Sequence, residues 1–293
     1  MQVLGSGLAL RQVVAGARGE GGSVGLVPTM GFLHRGHVSL LQRARAENQL
    51  VVMSNFVNPL QFGPAEDYAA YPRDPGGDAR LAEAAGVDVV FQPDPEAMYP
   101  AGYATHVDVE GLGSRLCGRY RPGHFRGVAT VVLKLFNLVQ PDRAYFGLKD
   151  YQQVLVISRM VQDLDVPVRI IACPTVRDQD GLALSSRNRY LSPRGRAAAP
   201  VLYRALRLGE QAIASGERDA ARVREVIRAQ LATEPLVEVQ YVSVSHAGTL
   251  EELDVLKGQV LLALAVRVEG TRLIDNVVVD VQGPGASAGP AGA

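Results

Sequence analysis

Tryptophan is absent from this chain, cysteine occurs twice and lysine only three times in 293 residues. Two cysteines, Cys117 and Cys173, are too few for a disulfide framework or a thiolate metal site, and they read as reduced thiols of a cytoplasmic protein. A charge excess is missing as well. Lys+Arg and Asp+Glu each number 30, so the formal net charge is zero. Neutralising a nucleic-acid backbone needs a basic surplus, which argues against a nucleic-acid partner. No uncharged apolar run reaches the ~18 residues of a membrane span. The N-terminal stretch also lacks the basic-then-apolar order of a signal peptide. The expectation is a protein with neither.

What is present is ordinary for a globular chain: 47% hydrophobic and 20% charged residues, and enough length to bury a large core without staples. Length favours two domains. Strand-like and helix-like patterns alternate through the first part. Residues 23–29 (SVGLVPT), 50–58, 87–93, 143–147 and 166–176 read as strands. Residues 36–48, 77–86, 127–140 and 150–164 read as helices, the first with Val38, Leu40, Leu41 and Ala44 on its apolar face. Alternation of this kind predicts a parallel sheet with helices on both faces. Beyond residue 176 a polar, turn-rich stretch leads to two Ala/Arg-rich helices (about 194–214 and 217–232) and three strand-like runs (237–244, 259–268, 272–282). The expected fold class is α/β: a Rossmann-like parallel-sheet domain over 1–175 with a smaller α+β C-terminal lid domain over 176–282. The Gly/Pro/Ala-rich tail 283–293 reads as disordered.

Two of the five histidines stand three residues apart in VPTMGFLHRGH (27–37). On a helix, His34 and His37 would share one face. They sit where the first predicted strand gives way to a helix, and parallel sheets bind ligands beyond the carboxyl ends of their strands. A helix start offers free N–H groups and positive potential for phosphate, and Gly31 and Gly36 would let a ligand approach the backbone. Two rival readings stay open on the residues alone. A zinc pair lacks an acidic third ligand at a recognised spacing, and a plain helix-surface pair needs no function.

PTMGFLHRGH resembles the nucleotide-binding signature of HxGH-type nucleotidyltransferases, in the form found in the pantothenate synthetase family. Three further blocks resemble that family in the same order: FVNPLQFGPAEDYAAYPRD (56–74), RPGHFRGVATVVLKLFNLVQPDRAYFGLKDYQQ (121–153) and PTVRDQDGLALSSRNRYLS (174–192). TRLIDNVVV (271–279) is similar to its C-terminal strand. The resemblance implies an ATP- and Mg2+-dependent ligase that joins pantoate to β-alanine through a pantoyl adenylate, and a homodimer. It assigns Met30, Gly31, Phe32, Leu33, His34, Arg35, Gly36 and His37 to ATP, with His34 and His37 on the phosphates. Gly147, Leu148, Lys149 and Asp150 are assigned to the ribose and phosphates, and Val176, Leu184, Ser185, Ser186 and Arg187 to the nucleotide. His37, His34, Lys149 and Arg187 are the implied catalytic residues, an imidazole being suited to clamp or acid. Gln61 and Gln153, with Asn58 as helper, are implied for pantoate. Met30, Phe56 and Val131 are candidates to pack on its methyl groups. Arg121 and His124 are assigned to β-alanine or phosphate, and Asp78 to magnesium. Leu148, Phe32, Arg35, Leu184 and Asn55 depart from the usual family residues; Asn55, a buried amide, needs a hydrogen-bond partner, which another subunit or an active-site water could supply. The alternatives are another HxGH-type adenylyl- or cytidylyltransferase, and a non-catalytic nucleotide-binding protein.

Overall fold

The computed structural model describes residues 1–64 and 66–281, so the tail expected to be disordered lies outside the described residues. The chain divides into two compact units: Met1–Arg177 with Leu184–Ser186, and Asp178–Ala183 with Arg187 onward.

The first unit is built on a six-stranded parallel sheet. In chain order its elements are β1 (Gln2–Leu4), α1 (Gly7–Gly19), β2 (Val24–Thr29), α2 (Arg35–Glu47), β3 (Leu50–Asn55), α3 (Pro75–Ala84), β4 (Val89–Phe91), α4 (Pro95–Met98), α5 (Cys117–Tyr120), α6 (His124–Val139), β5 (Arg143–Gly147), α7 (Tyr151–Asp163) and β6 (Arg169–Cys173). The strand order is β1-β4-β3-β2-β5-β6. β2 and β3 are apolar on consecutive residues because helices cover both faces of the sheet, the usual condition of a buried parallel sheet. Val27, Val51, Met53, Val90 and Tyr145 pack under α2 and α3, around Leu41, Ala44 and Ala82. Alternation sends Val24, Leu26 and Val52, all fully buried, to the opposite side, where α1 and α7 pack on α6. α6 is rich in β-branched residues, yet its Val128, Val131, Val132, Leu135 and Phe136 are all buried. Tertiary packing overrides its weak helix propensity.

The predicted strand over 50–58 stops at Asn55: Phe56 N still donates to Thr29 O, but Pro59, without an N–H, opens a 3-10 turn over Pro59–Gln61. β1 and α1 were not expected from the residues.

One polar network crosses this core. Asn48 Nδ2 donates to Ala44 O (2.8 Å) and to Tyr145 Oη (2.7 Å), while Tyr145 donates to Glu47 Oε2 (2.8 Å). Burial, then the bond to Glu47, pushes the phenol up to about 12, so it remains a donor at every ordinary pH.

The second unit holds α8 (Pro193–Ala198), α9 (Val201–Ala214), α10 (Ala220–Ala232) and the antiparallel meander β7 (Val237–His246), β8 (Gly258–Val268) and β9 (Thr271–Val281). The helix expected over 194–214 is two helices. Pro200 has no N–H for an i→i−4 bond and its ring blocks the preceding turn. Leu202, Leu206, Ile213, Val223 and Ile227 of α9 and α10 share a core with Val244, Leu262 and Leu264 of the meander. Among the described residues no helix is long and apolar enough to cross a membrane.

Replacing Tyr145 by Phe removes the acceptor of Asn48 and the donor to Glu47. The variant should be less stable by about 1–2 kcal/mol, read as a lower urea midpoint at unchanged slope. An unmoved midpoint would contradict the network's role.

Candidate active site

β2 lies at the centre of the sheet. The chain runs outward from it through β3 and β4 on one side and through β5 and β6 on the other. This reversal is a topological switch point, and the loops at the carboxyl ends of β2 and β5 flank the crevice where such sheets take ligands. Those loops carry Met30–His34 and Gly147–Asp150.

The loop after β2 has an unusual backbone. Gly31 and Phe32 both take positive φ, +80° and +50°, and Phe32 is sterically strained there. A buried carboxylate holds the turn. Asp78, in the first turn of α3, accepts from Phe32 N (2.9 Å), Leu33 N (2.7 Å) and Asn55 Nδ2 (3.1 Å). Thr29 Oγ1 accepts from Gly31 N (3.2 Å) and donates to Ser54 O (2.7 Å). A Cβ at Gly31 would collide with Asn55 Oδ1 and stand 2.8 Å from Asp78 Oδ2.

Asp78 clamps the loop backbone: both of its oxygens accept hydrogen bonds, and among the described residues no group of three or more His, Cys, Asp or Glu is placed to hold a metal. Two expectations change here. Asn55 takes its partner from Asp78, without a second subunit or a water. Leu33 turns into the core beside Leu40 and Leu41, so only its backbone belongs to the loop.

The histidine pair is also arranged differently from two residues on one helical face. α2 begins at Arg35, and His34 precedes it as the extended N-cap. The two rings pack on each other, 4.0 Å between centroids and tilted by 32°. Gly36 N donates to His34 Nδ1 (3.1 Å), and His34 N donates to His37 Nδ1 (3.3 Å). Both imidazoles therefore cap the helix start, which leaves fewer free N–H groups for an anion than expected. A Cβ at Gly36 would stand 2.9 Å from the His34 ring; the glycine makes room for the imidazole rather than for a ligand. Since each Nδ1 accepts from a backbone N–H, the proton of each neutral ring sits on Nε2.

Their environment keeps them neutral. Burial, then the Lys149 ammonium, lowers the pKa of His34 to about 4, with Asp150 opposing. Burial, then His34 and Lys149, holds His37 well below the ordinary imidazole range. From the loop after β5, Lys149 thus lies close enough to act on both rings, and Asp150 on His34. A depressed imidazole pKa contributes stability that is complete above the free value of 6.5 and is lost as the pH falls toward about 4.

Leu184–Ser186 belongs with this unit. Leu184 N donates to Val176 O (3.0 Å) and Ser186 Oγ to Phe32 O (3.3 Å). Arg187 belongs to the second unit.

The residues expected at pantoate form a layered arrangement. Gln61 is buried at the end of the 3-10 turn after Asn58. Leu60 N donates to Asn58 Oδ1 (3.3 Å), as does Tyr99 Oη (2.7 Å), and Asn58 Nδ2 donates to Gly127 O (3.1 Å) and Gln61 Oε1 (3.0 Å). A backbone N–H only donates and a carbonyl only accepts, so both amides are oriented without ambiguity. Gln61 Nε2 is left against the Met30 thioether (3.1 Å), a weak acceptor. Asn58 is therefore a support of Gln61. Gln153, on α7, makes no side-chain hydrogen bond among the described residues. Phe56 and Val131 are buried apolar residues and Met30 is half-buried.

Arg121 and His124 face the Gln61 turn. Arg121 forms a two-pronged pair with Glu66 (Nε–Oε1 2.8 Å, Nη2–Oε2 2.6 Å) and also reaches Gln61 O (3.3 Å), while His124 Nδ1 lies 2.8 Å from the same carbonyl. Glu66, Tyr99 and Gly127 were not singled out from the sequence; the Asn-Pro step at 58–59 was the one local signal of a built turn.

The family model described as pantoate-beta-alanine ligase matches residues 2–278. The pantothenate synthetase of Moorella thermoacetica is 60% identical, covering 96% of this chain and 99% of its own length. The chain belongs to the pantoate–β-alanine ligase family. Among solved structures of this family, the pantothenate synthetase of Thermus thermophilus superposes with TM-score 0.90 at 50% identity, covering 94% of this chain and 99% of that one. The ligase of Francisella tularensis, described in complex with Beta-gamma ATP and β-alanine, gives TM-score 0.79 at 33% identity over 95% and 97% of the two chains. The departures from usual ligase residues leave the loop intact: Asn55 is built into the clamp, and Phe32 and Arg35 contribute backbone to the turn and helix start.

Asp78→Asn keeps the shape of the clamp but faces an amide N–H2 toward a backbone donor. It should cost about 1–3 kcal/mol in a urea titration through one unsatisfied buried group, and ATP affinity should fall with it. A variant with wild-type stability and wild-type ATP binding would remove the clamp from this account.

Proposed function

We propose that this ligase works in two steps at the crevice between β2 and β5. The carboxylate of pantoate attacks the α-phosphorus of ATP, giving pantoyl adenylate and releasing pyrophosphate. The amine of β-alanine then attacks the acyl carbon, and AMP leaves. A free carboxylate is a poor acyl donor, and adenylation supplies the leaving group. Because the first step brings two anions together, the site must offer positive charge and hydrogen-bond donors where negative charge gathers.

The observation that carries this reading is the convergence of His34, His37 and Lys149 from two loops at the switch point. Two neutral imidazoles with the proton on Nε2 are donors to phosphate oxygens, not bases. Lys149 adds a compact charge. Ser185 and Ser186 contribute donors to the β- and γ-phosphates. Gly147, Leu148 and Asp150 border the ribose, and Val176 and Leu184 the rest of the nucleotide. Gln61 Nε2 and Gln153 hold the carboxylate and hydroxyls of pantoate, with Met30, Phe56 and Val131 against its methyl groups. A magnesium ion carried with ATP would offset charge on the phosphates, in keeping with an ion that retains water and needs few protein ligands; among the described residues no group of three or more His, Cys, Asp or Glu is placed to cage it. A homodimer in the cytoplasm fits the family and the two buried cysteines.

Pyrophosphate release should require pantoate but not β-alanine, and AMP and amide should follow only when β-alanine is added. ATP binding without pantoate-dependent pyrophosphate would indicate a non-catalytic nucleotide binder, and a dinucleotide product another transferase. His37→Ala and Lys149→Ala should each lower the adenylation rate by about 10²-fold or more in a folded protein; near-normal turnover in either would take that residue out of the scheme.

Phosphate beside an imidazole favours its charged form. ATP binding at pH values between about 4 and 6.5 should therefore take up protons, seen as calorimetric heats that vary with the ionisation enthalpy of the buffer. Proton release would contradict the assignment of His34 to phosphate.

A further inference from the structure

Arg121 and His124 stand in a motif, RPGHF, whose charges suggest a contact with substrate. Their surroundings point elsewhere. Every nitrogen of the Arg121 guanidinium is engaged within the protein: Nε and Nη2 by the Glu66 carboxylate, Nη2 also by Gln61 O, and Nη1 by His124 Nε2 at 3.0 Å. The ion pair is well shielded, with side-chain exposures of 11% and 23%, so its geometry is held more firmly than that of a surface pair. A guanidinium only donates, so His124 Nε2 accepts. A carbonyl only accepts, so His124 Nδ1 carries the proton and donates it to Gln61 O. The ring is neutral and its tautomer is opposite to that of His34 and His37.

Two of these bonds, from Arg121 Nη2 and His124 Nδ1, meet on one backbone carbonyl, that of Gln61. The same turn is seated from the other side by α6, where a Cβ on Gly127 would collide with the Leu60 carbonyl and stand 2.6 Å from Gln61 N. Gly127 thus permits an approach that no other residue allows. The Gln61 side chain is oriented separately, through Asn58.

We propose that Glu66, Arg121 and His124 are positioning residues: they fix the main chain of Gln61, and through it the affinity for the hydroxy acid, without touching β-alanine or ATP. This rests on the ligase reading, in which Gln61 holds pantoate. An amide ~1 Å out of place loses its hydrogen bond, so the effect falls on pantoate binding alone.

The test compares steady-state kinetics of the full-length enzyme carrying Glu66→Gln, His124→Gln or His124→Asn, each first checked by thermal unfolding. Glu66→Gln keeps the side-chain shape and removes the charge. His124→Gln presents an amide near the position of Nε2 and loses the donor to Gln61 O, whereas His124→Asn presents its N–H near the position of Nδ1. Glu66→Gln and His124→Gln should raise the KM for pantoate roughly tenfold, the worth of about one hydrogen bond to a charged or buried group. KM for ATP and for β-alanine should stay within about twofold, and His124→Asn should recover most of the loss. A comparable rise in KM for β-alanine, or an unmoved KM for pantoate in folded Glu66→Gln, overturns the proposal. Wild type without pantoate-dependent pyrophosphate release would instead sink the ligase reading beneath it. Nitrogen-15 shifts of His124 in the wild type need no variant: a neutral ring protonated on Nδ1 is expected, and one protonated on Nε2 overturns the assignment.

Discussion

The site depends on one carboxylate facing two backbone amides. Asp78 accepts from Phe32 N and Leu33 N and so holds a turn that would otherwise relax, since Phe32 sits at positive φ. The turn decides where the chain enters α2. That entry makes His34 an N-cap, and capping fixes which nitrogen of each imidazole carries the proton. A charge at the base of α3 thereby sets the hydrogen-bonding character of two rings it never touches. The clamp is isolated from solvent, where a charge-assisted bond to an N–H is at its strongest.

The second constraint is electrostatic. Burial and Lys149 both disfavour imidazolium at His34 and His37. A site for a triphosphate is often pictured as a nest of positive charge, but here the imidazole pair is neutral and preorganised as donors. The arriving phosphates supply the field that the rings lack, so charge builds only when the ligand is present. Such a site needs little reorganisation when negative charge develops at phosphorus. On the hydroxy-acid side, Gln61 is likewise placed by partners that leave its N–H2 group facing only a thioether.

Much of the fold was legible in the sequence, for a physical reason. Strands buried on both faces leave continuous apolar runs, and the helices between them keep a 3.6-residue pattern, so β2, β3, β5, α2 and α7 were all expected where they lie. β1 escaped because it has three residues, two of them exposed, and Pro200 divided a helix that periodicity alone joined. The site was legible as a set of residues but less so in its roles. Sequence shows that Asp78, Asn58, Arg121 and His124 are polar and near the motifs; it does not show which way they face. Each turned out to be held by other parts of the chain: Asp78 by the loop it clamps, Asn58 by Leu60, Tyr99 and Gly127, and Arg121 with His124 by Glu66 and Gln61 O. Asn55 looked like a buried amide in want of a partner because its partner lies 23 residues away, on another element.

The most direct test of the central claim is the titration of the His34 ring, followed by proton NMR in the unliganded wild-type enzyme. A ring that caps α2, lies buried and faces Lys149 should stay neutral through pH 6 and titrate at about 4. A midpoint near 6.5, the ordinary value, would mean that the ring is neither capped nor enclosed, and would contradict the account at its root.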